Sequence, residues 1–235
     1  MESLLEDLRK ELKQKSDIYT YKSIQKFFKE NIKAYGIKSK DINRISKEYF
    51  KRIEHLEKKQ IFKYCTQLYQ SEYLEEANIA SDWSYRKRKE YTKEDIYIFE
   101  EWIDKYIDNW AKCDTFCNHT VGTIVDMYPE LINILKEWSN SPNIWLKRAS
   151  AVSLIVPARE GIYLTDIFEI SNTLLLDQND MVQKGYGWLL KEASKKHQQE
   201  IYEYVLSKRK IMPRTSLRYA IEKMPLEMKK EAMKK

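Results

Sequence analysis

The sequence predicts an all-α protein in which many short helices stack as an α-solenoid. Of its 235 residues only five are glycine and five are proline, and Gly36 is the only glycine before Gly122. The first half therefore lacks the turn signals that β-proteins need. Apolar residues recur at three- and four-residue steps, which is typical of amphipathic helices. Because brief loops join these segments and no heptad seam runs through them, stacked helix pairs are favoured over a bundle.

The helices can be assigned in chain order from these apolar steps and from their start signals. The first three follow apolar runs that contain Leu4, Ile24 and Ile42. Thr92 and Asp95 resemble a capping box, and Pro142 stands where a first helical turn tolerates proline. We predict helices over residues 2–14, 19–34, 40–54, 58–71, 73–88, 93–109, 111–124, 129–139, 143–156, 164–175, 179–194, 197–209 and 212–231, and no strand.

Composition limits the cellular context and the cofactors. With 43% hydrophobic residues the chain can bury a core, and we expect a single domain over residues 1–235. No signal peptide or membrane-spanning run is seen, so we expect a cytoplasmic protein without a membrane partner. Cys113 and Cys117 with His119 supply too few ligands for zinc, so we predict buried thiols and no metal site.

Positive charge is concentrated in two short clusters. The net charge of +6 is moderate for this length and does not by itself identify a polyanionic ligand. Residues 86–89 read Arg-Lys-Arg-Lys, and residues 208–210 read Lys-Arg-Lys with Arg214 and Arg218 beyond them. Such clusters either line a basic groove that follows DNA phosphates or simply solvate helix ends, and the sequence leaves both interpretations open.

Three predicted helices each carry a tryptophan and a charged residue on one face. The tryptophans follow one another at intervals of 35 and 43 residues, close to one helical-repeat period, so a solenoid would align the pairs along one concave strip. Ordinary core packing is the alternative for any single tryptophan. The pairs are Trp110 with Asp114, Trp145 with Arg148, and Lys184 with Trp188.

Four segments together resemble the successive motifs of a known family. They are residues 109–114 (Asn-Trp-Ala-Lys-Cys-Asp), 145–152 (Trp-Leu-Lys-Arg-Ala-Ser-Ala-Val), 182–188 (Val-Gln-Lys-Gly-Tyr-Gly-Trp) and 217–222 (Leu-Arg-Tyr-Ala-Ile-Glu). Their order and spacing resemble the bacterial DNA alkylation repair glycosylases of the AlkD-like family, most clearly over residues 92–225. The resemblance implies a HEAT-like repeat fold and excision of positively charged N3- or N7-alkylated purines from duplex DNA, without a metal or organic cofactor.

The resemblance also implies a role for each matching residue. Asp114 would be the catalytic carboxylate, and Trp110 and Trp188 the aromatic walls beside the lesion. Arg148 would contact the DNA backbone, and Lys184 is a further candidate phosphate contact. These types suit the chemistry, because a carboxylate stabilises the cation that develops on the sugar and indole faces attract a cationic base. We expect a monomer that is associated with the nucleoid when it acts on DNA.

Simpler interpretations remain for several of these residues. Asp114 would also serve as a cap for a helix that follows Trp110 or as a partner for Lys112 or Arg148, and Lys184 as a solvated lysine. The chain has Ala-Lys-Cys between Trp110 and Asp114, where the family often has a second aromatic residue and a more polar sequence. A non-catalytic DNA-binding solenoid and a protein–protein scaffold are therefore alternatives to a glycosylase.

Overall fold

The structure of the protein is a computed structural model that describes residues 2–234. Within those residues the secondary structure is helical and no β-strand occurs, which confirms the predicted all-α fold class. None of the described helices combines the length and apolar character needed to cross a membrane. The chain divides into two compact units, residues 1–91 and 92–235. The single domain expected over residues 1–235 stays a prediction.

The first unit is built from five helices. Helix α3 packs against α1 and α5, and α4 packs against α5. Trp83 of α5 is fully buried, and its indole N–H donates to the Ser46 carbonyl of α3 at 3.1 Å, which ties the two helices together. The helices are α1 (Glu2–Gln14), α2 (Ile18–Phe27), α3 (Ser39–Lys51), α4 (Lys58–Tyr69) and α5 (Leu74–Arg86), followed by a 3₁₀ turn at Arg88–Glu90.

Helix α2 is shorter than the sequence predicts. The apolar steps favour a helix over 19–34, but the chain leaves the helix after Phe27 and Gly36 takes a left-handed φ of 83°. The carboxylate of Glu75, fully buried at the start of α5, accepts the backbone N–H groups of residues 35–37 at 2.8 to 3.2 Å. A partner about 40 residues away thus satisfies backbone groups of the non-helical segment that follows α2.

The second unit stacks helix pairs in two layers. In one layer α7, α10, α13 and α15 pack in succession, and in the other α9 packs against α12. This arrangement gives the repeat architecture predicted from helix length and spacing. The helices are α6 (Asp95–Tyr106), α7 (Trp110–Phe116), α8 (Gly122–Met127), α9 (Ile132–Trp138), α10 (Ile144–Val152), α11 (Ile155–Arg159), α12 (Leu164–Leu174), α13 (Asp180–Ala193), α14 (Gln198–Lys208), α15 (Arg214–Ala220) and α16 (Leu226–Ala232).

Two predicted helices are broken in two by proline. The helix predicted over 143–156 is α10 followed by α11, and the one predicted over 212–231 is α15 followed by α16. Pro157 and Pro225 have no N–H to donate to the carbonyl four residues earlier, so the helical hydrogen bonds cannot run through these points. Neither break falls within α7, α10 or α13, which carry the candidate site.

Candidate active site

Helix α7 begins at Trp110 because Asn109 caps it. The Asn109 side-chain oxygen accepts the backbone N–H groups of Ala111 and Lys112, both at 3.1 Å. Asp114 follows Trp110 by four residues and so lies on the same face of the helix. Both side chains are partly exposed, whereas Lys112 is buried. The predicted pair of an indole and a carboxylate on one helical face is therefore present.

A π-helical turn, Cys117–Val121, continues α7 into α8. Such turns often mark functional sites in helices. The Asn118 side-chain oxygen lies buried in this turn without a hydrogen-bond partner among the described residues. Cys113 and Cys117 are buried free thiols with their sulfurs 4.0 Å apart, as predicted, and burial raises the pKa of Cys113. Among the described residues, no cluster of three metal-binding side chains occurs.

Asp114 and Arg148 form a two-pronged ion pair between α7 and α10. Arg148 Nε donates to Asp114 Oδ1 and Nη2 donates to Oδ2, each at 2.8 Å. The Arg148 side chain is 6% exposed and that of Asp114 14% exposed. Burial lowers the pKa of Arg148, but the hydrogen bonds and charge of Asp114 outweigh burial and raise that pKa above its usual range. The guanidinium is therefore a fixed cation behind the carboxylate.

Helix α13 completes the surroundings of Arg148. Arg148 Nη1 donates to the backbone carbonyl of Met181 in the first turn of α13. One turn later, a Cβ added to Gly185 would lie 3.3 Å from Arg148 Cγ and 3.6 Å from Nη1. Gly185 thus provides the space through which the arginine side chain passes. One side chain from α10 bridges α7 and α13.

Gly187 serves a different contact from Gly185. A Cβ at Gly187 would lie 2.8 Å from Tyr219 Cβ and 2.9 Å from the Ser216 carbonyl oxygen. The second glycine therefore allows close packing of α15 on α13. At both positions the missing side chain allows a neighbouring helix to lie close to α13.

Trp188 is held at its polar edge by its own helix. Its indole N–H donates to Glu192 Oε1 at 3.1 Å, and the ring is partly exposed. Glu192 Oε2 accepts from Arg159 Nε at 2.7 Å and pairs with Lys195 Nζ at 2.5 Å. The orientation of this tryptophan is thus set by a buried carboxylate with two cationic partners.

The two lysines near the predicted motifs pair within their own helices. Lys184 Nζ lies 2.6 Å from Asp180 Oδ2, one turn earlier in α13. Lys112, which the sequence offered as a partner for Asp114, instead pairs with Asp108 at 2.9 Å. The structure therefore brings Asp114 together with Arg148, and it gives Lys184 a local partner.

Several residues of the two predicted basic clusters form ion pairs or hydrogen bonds with other residues of the protein. Arg86 pairs with Asp82 at 2.8 Å, and Lys87 is buried and pairs with Glu90. In the second unit Arg209 pairs with Glu231 at 3.0 Å and Arg214 donates to the Met233 carbonyl. Arg218 of α15 is exposed. The interpretation as helix-end charges thus applies to several members of both clusters.

Sequence reasoning missed Glu192, Asn118 and the Met181 carbonyl as parts of this site. Trp188 and Glu192 are four residues apart, so the sequence alone could have predicted that they share a face of the helix. The Asn118 position depends on a π turn, and the Met181 contact uses a backbone atom. Neither of those features has a recognisable side-chain pattern in the sequence.

Comparison with known proteins places the chain in a family. Residues 8–224 match the family described as DNA alkylation repair enzyme. A solved structure titled as a predicted DNA alkylation repair enzyme from Enterococcus faecalis is similar, with a TM-score of 0.81 and 16% sequence identity. The match covers 90% of this chain and 98% of that one, and it shows a shared fold. No curated protein matches the sequence. Because the family match extends over most of its length, the chain belongs to the DNA alkylation repair enzyme family.

Proposed function

We propose that the protein is a DNA glycosylase that excises positively charged N3- and N7-alkylated purines, such as 3-methyladenine and 7-methylguanine, from duplex DNA. The observation that carries this proposal is the Asp114 carboxylate, held rigidly by a buried arginine yet still partly open to solvent. The family match supplies DNA as the substrate class. We further propose that it acts as a monomer in the cytoplasm, at the nucleoid.

The chemistry needs a fixed anion beside the sugar. When the bond from C1′ to the alkylated base breaks, its electron pair leaves with the base, which becomes neutral, and positive charge develops on the sugar. Asp114 is already charged and oriented, so it stabilises that developing charge more than the ground state. Water then adds to C1′ and gives up a proton. Because the base is cationic before cleavage, no acid is needed to protonate it.

Arg148 has a different role in this scheme from the one that the resemblance implies. Three of its five N–H groups are donated to Asp114 and to the Met181 carbonyl, and its side chain is only 6% exposed, so little of it is open to a DNA phosphate. We propose that Arg148 mainly orients the carboxylate. Trp110 and Trp188 supply aromatic faces that attract a cationic base by about 0.5 to 2 kcal/mol per contact, and Lys184 is a peripheral phosphate contact.

The test is single-turnover release of 7-methylguanine from a duplex with one lesion. We expect Asp114→Asn to lower the rate by about a hundredfold, because a preorganised charge is lost. Circular dichroism and duplex binding of the variant check that it stays folded, since the change leaves the buried Arg148 without its anionic partner. Asp126→Asn is the matched control, since Asp126 is an exposed carboxylate of α8 in the same unit. Its release rate should equal that of the wild type.

A second candidate is a non-catalytic protein that binds DNA. The Asp114–Arg148 pair also fits this candidate, because a buried two-pronged ion pair suits a purely structural role. If the wild type binds duplex DNA but releases neither 7-methylguanine nor 3-methyladenine, this second function is correct. Release that is equal in the wild type and Asp114→Asn would instead remove Asp114 from the chemistry.

A further inference from the structure

The polar edge of Trp188 is fixed by a network that the reaction itself does not require. Glu192 uses one oxygen for the indole N–H at 3.1 Å and the other for two cations. Arg159 Nε, at the end of α11, lies 2.7 Å from Oε2, and Lys195 Nζ lies 2.5 Å from the same atom. A single carboxylate thus connects a partly exposed indole to positive charges on two sides.

Burial makes this network rigid. The Glu192 side chain is only 8% exposed. Burial raises the pKa of Glu192, but hydrogen bonds from Lys195, Arg159 and Trp188 outweigh it and lower that pKa below its ordinary value. The carboxylate is therefore ionised throughout the neutral range. An ionised group inside the protein with three donors does not exchange its partners freely.

We propose that Glu192 is a positioning residue that fixes the plane of Trp188 and strengthens the attraction of its ring for a positively charged base. The inference rests on the proposed function, in which Trp188 lies beside a cationic purine. It assigns selectivity for charged lesions to a residue that need not touch DNA. The chemical class recognised is an alkylated purine with a formal positive charge on its ring.

Two physical effects support this role. Trp188 has two side-chain torsions, and the hydrogen bond to Glu192 restrains both, so less entropy is lost when a base stacks on the ring. An anionic acceptor also polarises the N–H bond and shifts electron density into the indole. The attraction of a cation to an aromatic face is electrostatic, so a more electron-rich ring binds the cation more strongly. Both cations bind the oxygen that faces away from the indole bond, so they hold the carboxylate without competing for that bond.

The experiment compares the affinity for a charged base with that for its uncharged analogue. Duplexes with 7-methylguanine or with neutral 7-methyl-7-deazaguanine are bound to the Asp114→Asn protein, in which release is slow. Selectivity for charge is measured as the dissociation constant for the neutral duplex divided by that for the charged duplex. We expect Glu192→Gln to lower this ratio by about fivefold, because the acceptor is kept but its charge is lost.

A double-mutant cycle separates this role from a structural one. In a Trp188→Phe background there is no indole N–H, while the contacts of Glu192 with Arg159 and Lys195 remain. Glu192→Gln should then leave the ratio unchanged, whereas a general loss of stability would lower affinity equally in both backgrounds. Glu222→Gln is the matched control, because it also removes a carboxylate paired with a lysine, in this case Lys191 of α13 at 3.0 Å.

A second measurement needs no DNA. The six tryptophans give six indole N–H resonances in an ¹⁵N–¹H correlation spectrum, and Trp188→Phe identifies the one from Trp188. We expect that resonance to exchange slowly with solvent and to move more than the other five in Glu192→Gln. An unmoved resonance overturns the inference even if the variant proves too unstable for DNA binding.

The outcomes distinguish this inference from the function on which it rests. If the Asp114→Asn protein binds both duplexes equally, selectivity for charge is absent from the ground state and the inference is wrong, while the proposed function is still decided by whether the wild type releases 7-methylguanine. If the Asp114→Asn protein prefers the charged base and Glu192→Gln keeps that preference, only the role of Glu192 is wrong. A fall in the ratio that persists in the Trp188→Phe background also overturns the inference, because it makes Glu192 a structural residue.

Discussion

The guanidinium of Arg148 is held on two sides, by both carboxylate oxygens of Asp114 at 2.8 Å and by the backbone carbonyl of Met181. The arginine is more deeply buried than its partner. The arrangement therefore orients Asp114 from behind and leaves its open side to solvent. A buried cation with three internal acceptors is also a strong constraint on how α7, α10 and α13 pack.

Removal of this cation should destabilise the protein. We expect Arg148→Met to lower the free energy of unfolding by about 3 to 5 kcal/mol, because Asp114 is left as a nearly buried charge without its partner. Urea denaturation followed by circular dichroism measures the change. Arg44→Met is the control, since Arg44 pairs with Glu11 and Glu48 on the exposed surface and its removal should have little effect. Equal losses in the two variants would contradict the constraint assigned to Arg148.

Arg218 offers a test of DNA binding that does not depend on catalysis. It is an exposed arginine on α15, the helix that packs against α13. If its guanidinium contacts a phosphate, Arg218→Ala should weaken binding to alkylated and unmodified duplexes alike. The slope of log K against log salt is negative, and it should then become less steep by about 0.9, the value for one lost phosphate contact. Fluorescence anisotropy over a range of salt concentrations measures this slope.

Arg209 is the matched control for Arg218. Its guanidinium is already paired with Glu231 at 3.0 Å and donates to the Glu231 backbone carbonyl. Arg209→Ala should therefore change the salt slope less than Arg218→Ala. A larger effect at Arg209 would place the phosphate contacts at the first part of the cluster rather than on α15.

His197 gives the protein a small pH dependence of stability. Its Nε2 lies 2.9 Å from the Gly161 carbonyl and its Nδ1 lies 3.3 Å from Glu200, and the hydrogen bond to Gly161 is the main cause that raises its pKa above 6.5. A raised pKa means that the protonated ring stabilises the folded state. This contribution is complete below the pKa of the unfolded chain and is lost as the pH rises through the folded value.

The variant His197→Gln tests this linkage, since an amide keeps a donor for Gly161 but carries no charge. The wild type should be more stable than His197→Gln at pH 5.5, and the difference should shrink by pH 8.5. Urea midpoints at the two pH values measure it. A difference that grows with pH would show that the neutral ring, and not the protonated one, is the stabilising form.

The sequence predicts the fold class and the helices that carry the site because both depend on local signals. Asn109, Asn143 and Asn179 each cap a helix just before a motif, and each side chain accepts a backbone N–H in the first turn of that helix. The end of α2 was not predictable in this way. The segment that follows α2 is held by contacts distant in sequence, in which Glu75 binds the backbone of residues 35–37 and the Leu74 N–H donates to the Lys33 carbonyl. Long-range contacts of this kind override local helix preference.

In the candidate site, too, features set by local signals were predictable and features set by long-range contacts were not. The faces that carry Trp110, Asp114 and Trp188 follow from helical spacing. Whether Arg148 faces a phosphate or a carboxylate depends on how α7 and α10 pack, and helical spacing leaves both open. The structure shows contact with Asp114, which is one of the alternatives that the sequence had offered. The roles of these residues in catalysis remain predictions.

The two glycines of α13 should respond in opposite ways to alanine. At Gly185 the added Cβ meets the flexible Arg148 side chain at 3.3 Å, so the guanidinium must shift while the backbone stays. Helix propensity favours alanine over glycine by up to about 1 kcal/mol, so stability should hold or rise. Release of 7-methylguanine should fall, because the carboxylate loses its fixed orientation.

At Gly187 the added Cβ meets Tyr219 Cβ at 2.8 Å and backbone atoms of Ser216 at 2.9 and 3.0 Å, which cannot move independently of α15. Gly187→Ala should therefore lower the free energy of unfolding by about 1 to 3 kcal/mol through overpacking. Thermal unfolding and single-turnover release on both variants test the contrast. If Gly185→Ala retains the full rate of release, the exact placement of Arg148 does not matter for the chemistry, and Asp114 acts by its charge alone.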